Sequence, residues 1–192
     1  MRYPDNPQLR SHCFSPLIWT QMVQPAPEGA TELQYSFHLL KRWLTRWGHQ
    51  FPQGTPLNFR NLFFPIHRDG NHWACLAIDF LANTITYLDS KVPDNTIGEF
   101  GREYAKQGLK FLLDEHNRAF NCPDQRPWTL IGSTQDTVPQ QTNGYNCGVY
   151  TCLFIDCLMR SRPMTLTPTQ VHGARAHMAL AIILGRAPPW AD

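Results

Sequence analysis

One of the six cysteines lies where a buried helix is predicted to begin. The run that opens at Cys147, CGVYTCLFIDCLM, is apolar on nearly every side, which is typical of a helix in a protein interior. A cysteine attacks as its thiolate, and a helix N-terminus favours an anion through its free N–H groups and its dipole. Cys147 is therefore a candidate nucleophile, although a cysteine in an apolar helix is more often inert packing.

The residues around Cys147 are suited to a substrate-binding loop. Asn143 and Gly144 form a dipeptide that favours a turn, and Asn146 has the side chain of a good helix N-cap. Gly148 has no side chain, so a substrate backbone can come close to the nucleophile. We predict that Asn143, Gly144 and Gly148 contact the substrate, and that Asn146 caps the helix.

A thiolate nucleophile needs a histidine as its base, and the histidine needs an acid or amide that orients it. Among eight histidines, His72 stands at the entry to a predicted strand, and Asp89 ends the next strand. In an antiparallel pair joined by a short turn, the start of the first strand lies beside the end of the second. We therefore expect His72 and Asp89 to be neighbours, although many aspartates end strands simply as turn formers.

A glutamine before the nucleophile could complete the site. Gln141 precedes Cys147 by six residues, and its amide could donate to an oxyanion together with the N–H of Cys147. On composition alone Gln140 has an equal claim, and either glutamine could simply flank a turn.

The predicted strands and helices that position these residues follow one another in an order typical of the α+β fold class. Three segments predict an antiparallel unit of strands, with turns at Asp69-Gly70 and Ala82-Asn83. These strands are Leu62–Ile66, Trp73–Phe80 and Thr84–Leu88. Apolar spacing predicts helices within residues 33–47, 95–116, 147–159 and 168–184, and a further strand at 128–132. Gly101 and Gly108 weaken the second of these helices.

Composition limits the classes of function. With 192 residues, 42% hydrophobic and 17% charged, the chain fits one folded domain, which we assign to residues 1–192. The net charge of +2 and the lack of a basic run argue against a nucleic-acid partner. No apolar run reaches the roughly 20 residues that a membrane-spanning helix needs. The sequence contains no C-x-x-C pair, so a structural zinc site has little support. We expect a monomer without metal, cofactor or membrane contact.

The cysteine pattern and the N-terminus bear on the compartment. The six cysteines are interpreted as reduced thiols, and residues 1–14 lack the apolar core of a signal peptide. We expect an intracellular protein of nucleus or cytoplasm, or, from a bacterium, one delivered into a host cell.

Four blocks of sequence follow one another as FFPIH, NHWACLAIDF, ITYLDS and VPQQTNGYNCGVYTC. Together they resemble the ubiquitin-like-protein-specific cysteine proteases, the sentrin/SUMO protease family. The family pattern is a Pro-Ile-His strand, a His-Trp strand, Tyr-x-Asp-Ser and then Pro-Gln-Gln-x-Asn-Gly-x-Asp-Cys-Gly. The resemblance runs from about residue 62 to 159 and is weaker over residues 11–43.

The resemblance implies a papain-like cysteine protease fold, with a mostly antiparallel central sheet flanked by helices. It makes Cys147 the nucleophile, His72 the general base, Asp89 the orienting acid and Gln141 the oxyanion donor. Trp73 matches the tryptophan that closes over the Gly-Gly tail of the modifier. The implied reaction is cleavage after the C-terminal Gly-Gly of a ubiquitin-like modifier, SUMO or ubiquitin, through a thioester.

Two departures from the family pattern are visible. The family has Asp where this chain has Asn146, and the Trp-Leu-Asn-Asp segment that opens the family domain is missing here. Three alternatives stay open: a deubiquitinase, an acetyltransferase effector of the same clan, and a non-catalytic modifier-binding domain. The His-Trp pair and the Pro-Gln-Gln block favour the protease, and the four filled catalytic positions argue against a non-catalytic domain.

Overall fold

The computed structural model describes residues 11–24, 33–92 and 99–185. In chain order, these residues form β1 Ser11–Cys13, α1 Pro16–Met22, β2 Val23–Gln24, β3 Gln34–Tyr35, α2 His38–Trp47, β4 Asn61–Arg68, β5 His72–Asp79, β6 Thr84–Leu88, α3 Glu99–Phe120, β7 Thr129–Gly132, α4 Cys147–Met159 and α5 Pro168–Leu184. Short 3₁₀ turns connect α2 to β4. The α+β order agrees with the sequence prediction, and the assignment of residues 1–192 to one domain stays a prediction.

The five strands β1, β4, β5, β6 and β7 form one sheet in that order. Its centre is the predicted antiparallel unit, in which Arg68 lies opposite His72 and Cys75 lies opposite Leu88. Both edge strands run parallel to their neighbours, β1 along β4 and β7 along β6. The sheet is therefore mixed, and its antiparallel part is confined to the centre.

The two predicted turns are built from residues that tolerate left-handed backbone. Asp69 and Gly70 have φ values of 53° and 72° between β4 and β5, and Asn83 has a φ of 51° before β6. Aspartate, asparagine and glycine adopt this region at the lowest cost. The first of these turns fixes the register that brings Arg68 opposite His72.

Side chains alternate along β5 and divide the molecule into two layers. Ala74, Leu76 and Ile78 face a hydrophobic core that also contains residues of α1, α2 and α3. Cys75 and Ala77 face a second core that contains residues of α4 and α5. We call these two sides of the sheet the α3 face and the α4 face.

The glycines that weaken the α3 prediction are the points where this helix lies closest to the sheet. A Cβ on Gly101 would lie 2.8 Å from Gly132 Cα and 2.9 Å from a ring carbon of Tyr87. A Cβ on Gly108 would overlap the side chain of Leu76. Close packing of the helix on the sheet outweighs the low helix propensity of glycine.

The sequence predicts that Ile97, Phe100, Tyr104, Phe111 and Leu112 lie broadly on one face of α3. The prediction is correct at Tyr104, Phe111 and Leu112, which are buried. Phe100, expected on the same face, is 44% exposed. Ile97, also assigned to it, lies outside the described residues.

The sequence predicts where α5 begins and ends, with Thr167, Pro168 and Gln170 as start signals and Gly185 and Pro188 as stop signals. Thr167 and Gln170 form a capping box around Pro168, and Gly185 ends the helix with a φ of 63°. Pro188, the last of the predicted stop signals, lies outside the described residues. Across the described part of the chain, no helix is both long and apolar enough to cross a membrane.

The elements before α2 were not predicted from sequence. They are the edge strand Ser11–Cys13, helix Pro16–Met22 and the two-residue strands Val23–Gln24 and Gln34–Tyr35. These segments are short, and only their tertiary contacts stabilise them.

Candidate active site

A buried histidine and a buried aspartate meet at one end of the sheet. His72 is the first residue of β5, Asp89 follows the last residue of β6, and His72 Nε2 lies 2.7 Å from Asp89 Oδ1. Only 7% of His72 and 2% of Asp89 is exposed. When Nε2 donates to the carboxylate, Nδ1 is the nitrogen that can accept a proton, and no described residue bonds to it.

Four donors surround the carboxylate of Asp89. His72 Nε2 and the backbone N–H of Lys91 are 2.7 and 2.8 Å from Oδ1. The hydroxyl of Tyr87 donates to Oδ2 over 3.1 Å, and Arg68 Nη2 lies 3.7 Å from the same oxygen. Burial raises the pKa of Asp89, but the bonds from His72 and Lys91 and the charge of Arg68 outweigh it, so the pKa lies below its usual value. Asp89 is therefore an ionised acceptor that holds the His72 ring.

Arg68 is itself held in place beside the pair. Its guanidinium lies 4.7 Å from the ring centre of Phe100 on α3, and its Nε is 3.4 Å from Asp69. Arg68 sits opposite His72 in the β4–β5 register. Together with Tyr87, it supports the carboxylate from the side away from the histidine.

The Cys147 thiol lies close to this pair, although it comes from the other face of the sheet. Cys147 is the first residue of α4, and its sulfur is 4.0 Å from the carbonyl oxygen of Asn71, the residue before His72. Only 5% of Cys147 is exposed, so the sulfur is largely buried in this structure.

Asn146 does not cap α4 with its side chain, and that prediction was wrong. It occupies the N-cap position, but its backbone has φ −94° and ψ 1° and its side chain makes no capping bond. Its Oδ1 instead accepts from Arg175 Nη2 on α5, 3.1 Å away. Asn143 stabilises the turn, since its Oδ1 accepts from the N–H groups of Tyr145 and Asn146.

The two glutamines have different surroundings. Gln141 Oε1 accepts from Ser90, and its Nε2 donates one bond, to the carbonyl of Asn143. Gln140 Nε2 donates to the carbonyls of Asp89 and Val138, and its Oε1 accepts from the N–H of Val92. Gln140 therefore clamps the loop to the end of β6, whereas Gln141 keeps one amide hydrogen for another acceptor.

Trp73 lies on the α4 face above the start of α4. Its ring packs on His67 with centroids 4.6 Å apart, and a Cβ placed on Gly148 would lie 3.6 Å from its Cδ1. The indole therefore lies in van der Waals contact with the first turn of α4.

A cleft of about 460 Å³ opens beside these groups. Its lining consists of Arg68, Asp69, Asn71, His72, Lys91, Val92, Gln141 and Gly144. The predicted residues His72, Gln141 and Gly144 share this cleft. Its lining does not include the other predicted site residues Asp89, Cys147, Trp73, Asn143 and Gly148, or Gln140. Within residues 11–24, 33–92 and 99–185, no group of three or more His, Cys, Asp or Glu could hold a metal ion.

Sequence reasoning missed the groups that support Asp89 and the nucleophile loop. Tyr87 could have been found, because it lies two residues before Asp89 and so on the same face of the strand. Arg68 could have been found from its position across the short turn from His72. Arg175 gives no signal in the sequence, because its contact depends on how α5 packs.

Comparison with known proteins places the chain among relatives of similar architecture. Residues 5–185 match the Ulp1 protease family, C-terminal catalytic domain. Sentrin-specific protease 2 of Homo sapiens is 30% identical over 148 residues, which cover 77% of this chain and 23% of that protein. Ubiquitin-like-specific protease 1 of Saccharomyces cerevisiae is 25% identical over 157 residues, 80% of this chain and 21% of that protein. The chain thus spans less than a quarter of either relative.

A solved structure with the same fold is the C-terminal Ulp1 protease domain in complex with Smt3, the yeast ortholog of SUMO. It aligns with a TM-score of 0.69 at 22% identity, over 91% of this chain and 68% of that one. The likeness confirms the predicted α+β, papain-like fold class.

Proposed function

The chain belongs to the Ulp1 protease family, and we propose that it is a cysteine protease of ubiquitin-like modifiers. It cleaves after the C-terminal Gly-Gly of the modifier, which processes precursors or releases the modifier from conjugated proteins. The observation that carries the proposal is the buried His72–Asp89 pair beside the Cys147 sulfur at the start of α4.

In the proposed reaction, His72 Nδ1 takes the thiol proton, and the sulfur of Cys147 attacks the carbonyl carbon of the last glycine. The oxyanion that forms accepts bonds from the N–H of Cys147 and the free amide hydrogen of Gln141. His72 then gives its proton to the leaving amine, and a thioester remains on Cys147. A water deprotonated by His72 hydrolyses the thioester, which frees the modifier and restores the thiol.

The narrow approach to the sulfur favours a thin substrate tail. Only 5% of Cys147 is exposed, and the Trp73 ring lies beside Gly148, so we expect little room for substrate side chains next to the sulfur. Two glycines have no side chains and fit such a slot. We propose that Trp73, Asn143, Gly144 and Gly148 line it.

SUMO is the modifier that the relatives favour. Sentrin-specific protease 2 and ubiquitin-like-specific protease 1 are named for modifiers of this class, and the structural relative is bound to the yeast ortholog of SUMO.

The thiols of Cys75 and Cys157 are free and buried, and burial raises the pKa of both. Free thiols support an intracellular place of action.

The proposal is tested with precursors of SUMO and ubiquitin that carry a short extension after Gly-Gly. We expect the wild type to cleave SUMO precursor after the second glycine and ubiquitin precursor much more slowly, as measured by intact mass. His72→Ala should lower kcat roughly 10²–10⁴-fold, because the general base is lost.

His38→Ala is the matched control, since His38 is an exposed histidine at the start of α2. It should keep the wild-type rate. A wild type that cleaves no modifier precursor, or a His72→Ala variant as fast as the control, would overturn the proposal. Faster cleavage of the ubiquitin precursor would identify a deubiquitinase.

A further inference from the structure

The cleft beside the candidate site reaches only part of the proposed machinery. His72 and Gln141, the proposed general base and oxyanion donor, line it. Trp73 and Gly148, two of the residues proposed to lie along the Gly-Gly tail, are not part of its lining, whereas Gly144 belongs to both sets. The cleft therefore meets the reacting groups from a side that Trp73 does not cover.

Strand alternation separates the cleft from the Trp73 side of the sheet. His72 and Trp73 are consecutive in β5, so their side chains point to opposite faces. Trp73 packs on His67 on the α4 face. Arg68, which lies opposite His72 and also lines the cleft, places its guanidinium 4.7 Å from the ring centre of Phe100 on α3. The cleft thus lies toward the α3 face.

The proposed reaction brings the two halves of the substrate to different sides of His72. His72 gives its proton to the leaving amine, so this amine has to come within hydrogen-bond distance of the imidazole. The Gly-Gly tail, on the other side of the cleaved bond, is proposed to lie beside Trp73 on the α4 face. The chain that follows the bond then continues toward the α3 face, where the cleft lies.

The charges that line the cleft do not balance. Arg68 Nε lies 3.4 Å from Asp69, so these two residues offset one another. Lys91 also lines the cleft and is exposed. Within residues 11–24, 33–92 and 99–185, no carboxylate forms an ion pair with its ammonium. The charge that is not offset in this lining is therefore the positive charge of Lys91.

The backbone of Lys91 is held next to the candidate catalytic pair. Its N–H donates to Asp89 Oδ1 over 2.8 Å, and the N–H of Val92 donates to Gln140 Oε1 over 2.9 Å. The base of the side chain is thus fixed beside the Asp89 carboxylate. The flexible four-carbon stem of lysine lets the ammonium follow an anionic group in the cleft.

We propose that the cleft binds the part of the substrate that follows the cleaved bond, and that Lys91 is a specificity-determining residue that favours acidic side chains there. In a precursor this part is the extension after Gly-Gly, and in a conjugate it is the segment around the modified lysine. Opposite charges facing each other across an interface favour one partner over another. The inference rests on the proposed protease function.

Two SUMO precursors test the inference, with extensions after Gly-Gly that differ only in carrying glutamates or lysines. We expect the wild type to favour the acidic extension about threefold in kcat/KM, because an exposed charge pair contributes modestly. Lys91→Glu should lower this preference about tenfold, so that the lysine extension is cleaved faster. In about 1 M NaCl the wild-type preference should approach one, since salt at that concentration screens exposed charges.

Lys41→Glu is the matched control, since Lys41 is an exposed lysine on α2 outside the cleft lining. It makes the same change of charge and should keep the preference of the wild type. The preference is a ratio of two rates of one enzyme, so a smaller folded fraction in a variant does not alter it.

Equal cleavage of the two precursors by the wild type would overturn the inference. So would a preference that Lys91→Glu leaves unchanged, or that Lys41→Glu shifts as much as Lys91→Glu does. Failure of the proposed function is distinguishable, because the wild type would then cleave neither precursor, and the inference would be refuted with it.

Discussion

At the scale of single residues, the arrangement around Asp89 determines how the histidine is held. One carboxylate oxygen accepts from His72 and the N–H of Lys91, while the other lies against Tyr87 and Arg68. A carboxylate held on both oxygens cannot rotate away from the imidazole. The ring therefore keeps Nδ1 available for the thiol proton of Cys147, the proposed nucleophile.

Tyr87→Phe removes one of these supports and leaves the aromatic ring in place. The lost hydrogen bond to a charged group should lower kcat about tenfold and destabilise the fold by about 1–2 kcal/mol. Precursor cleavage and urea unfolding measure the two effects.

Tyr35→Phe supplies the control, because the Tyr35 hydroxyl makes a similar bond, 2.9 Å long, to Asp114 on α3. It should lose stability but keep the wild-type kcat. If both variants lost kcat equally, the effect would come from general destabilisation and the role of Tyr87 would be refuted.

The antiparallel pairing of two strands joined by a short turn predicted the histidine–aspartate contact, because it brings the start of β5 beside the end of β6. Asp89 follows Leu88, the partner of Cys75, and so lies diagonally across from His72. The side chain of Asn146 could not be predicted in the same way. Its local preference is to cap the helix, but its backbone is not extended here and its Oδ1 accepts from Arg175, far along the chain.

At the scale of elements, the long helix α3 supports the site by lying close to the sheet. Gly101 lies against Gly132 and Tyr87, so the helix and the tyrosine that supports Asp89 pack together. The glycines that weaken the helix in sequence are thus required by its packing. The local signal and the tertiary structure disagree at these residues.

Gly101→Ala should destabilise the protein by about 1–3 kcal/mol, because its Cβ would overlap backbone that cannot move aside. Gly173→Ala is the matched control in α5, where a Cβ would meet nothing within 4 Å. It should stabilise the protein by about 0.5–1 kcal/mol through helix propensity. Urea unfolding of both variants tests the contrast, and a neutral or stabilising Gly101→Ala would contradict the packing of α3.

The predicted and the missed elements differ in where their stability comes from. The central strands and α4 have strong local patterns and were found, as were the caps of α5 at Thr167 and Gly185. The edge strand Ser11–Cys13 has three residues and is fixed by pairing with β4. A segment so short has no periodicity from which it could be predicted.

At the scale of the whole molecule, the candidate site is assembled from both faces of the sheet. His72 and Asp89 come from strand ends, and Cys147 comes from a helix on the α4 face. The site therefore exists only when the two layers are packed together. Sequence resemblance assigned the roles of these residues, and the structure adds the supports that hold them: Tyr87, Arg68 and Gln140.

The central claim is that Cys147 attacks the end of a Gly-Gly tail, and covalent capture tests it most directly. SUMO with an electrophile in place of its C-terminal carboxylate is incubated with the protein, and the modified residue is identified by peptide mass spectrometry. The account predicts one adduct, on Cys147, and none on the exposed Cys122 or in Cys147→Ala. No adduct with SUMO, ubiquitin or a related modifier, or an adduct on another cysteine, would contradict it.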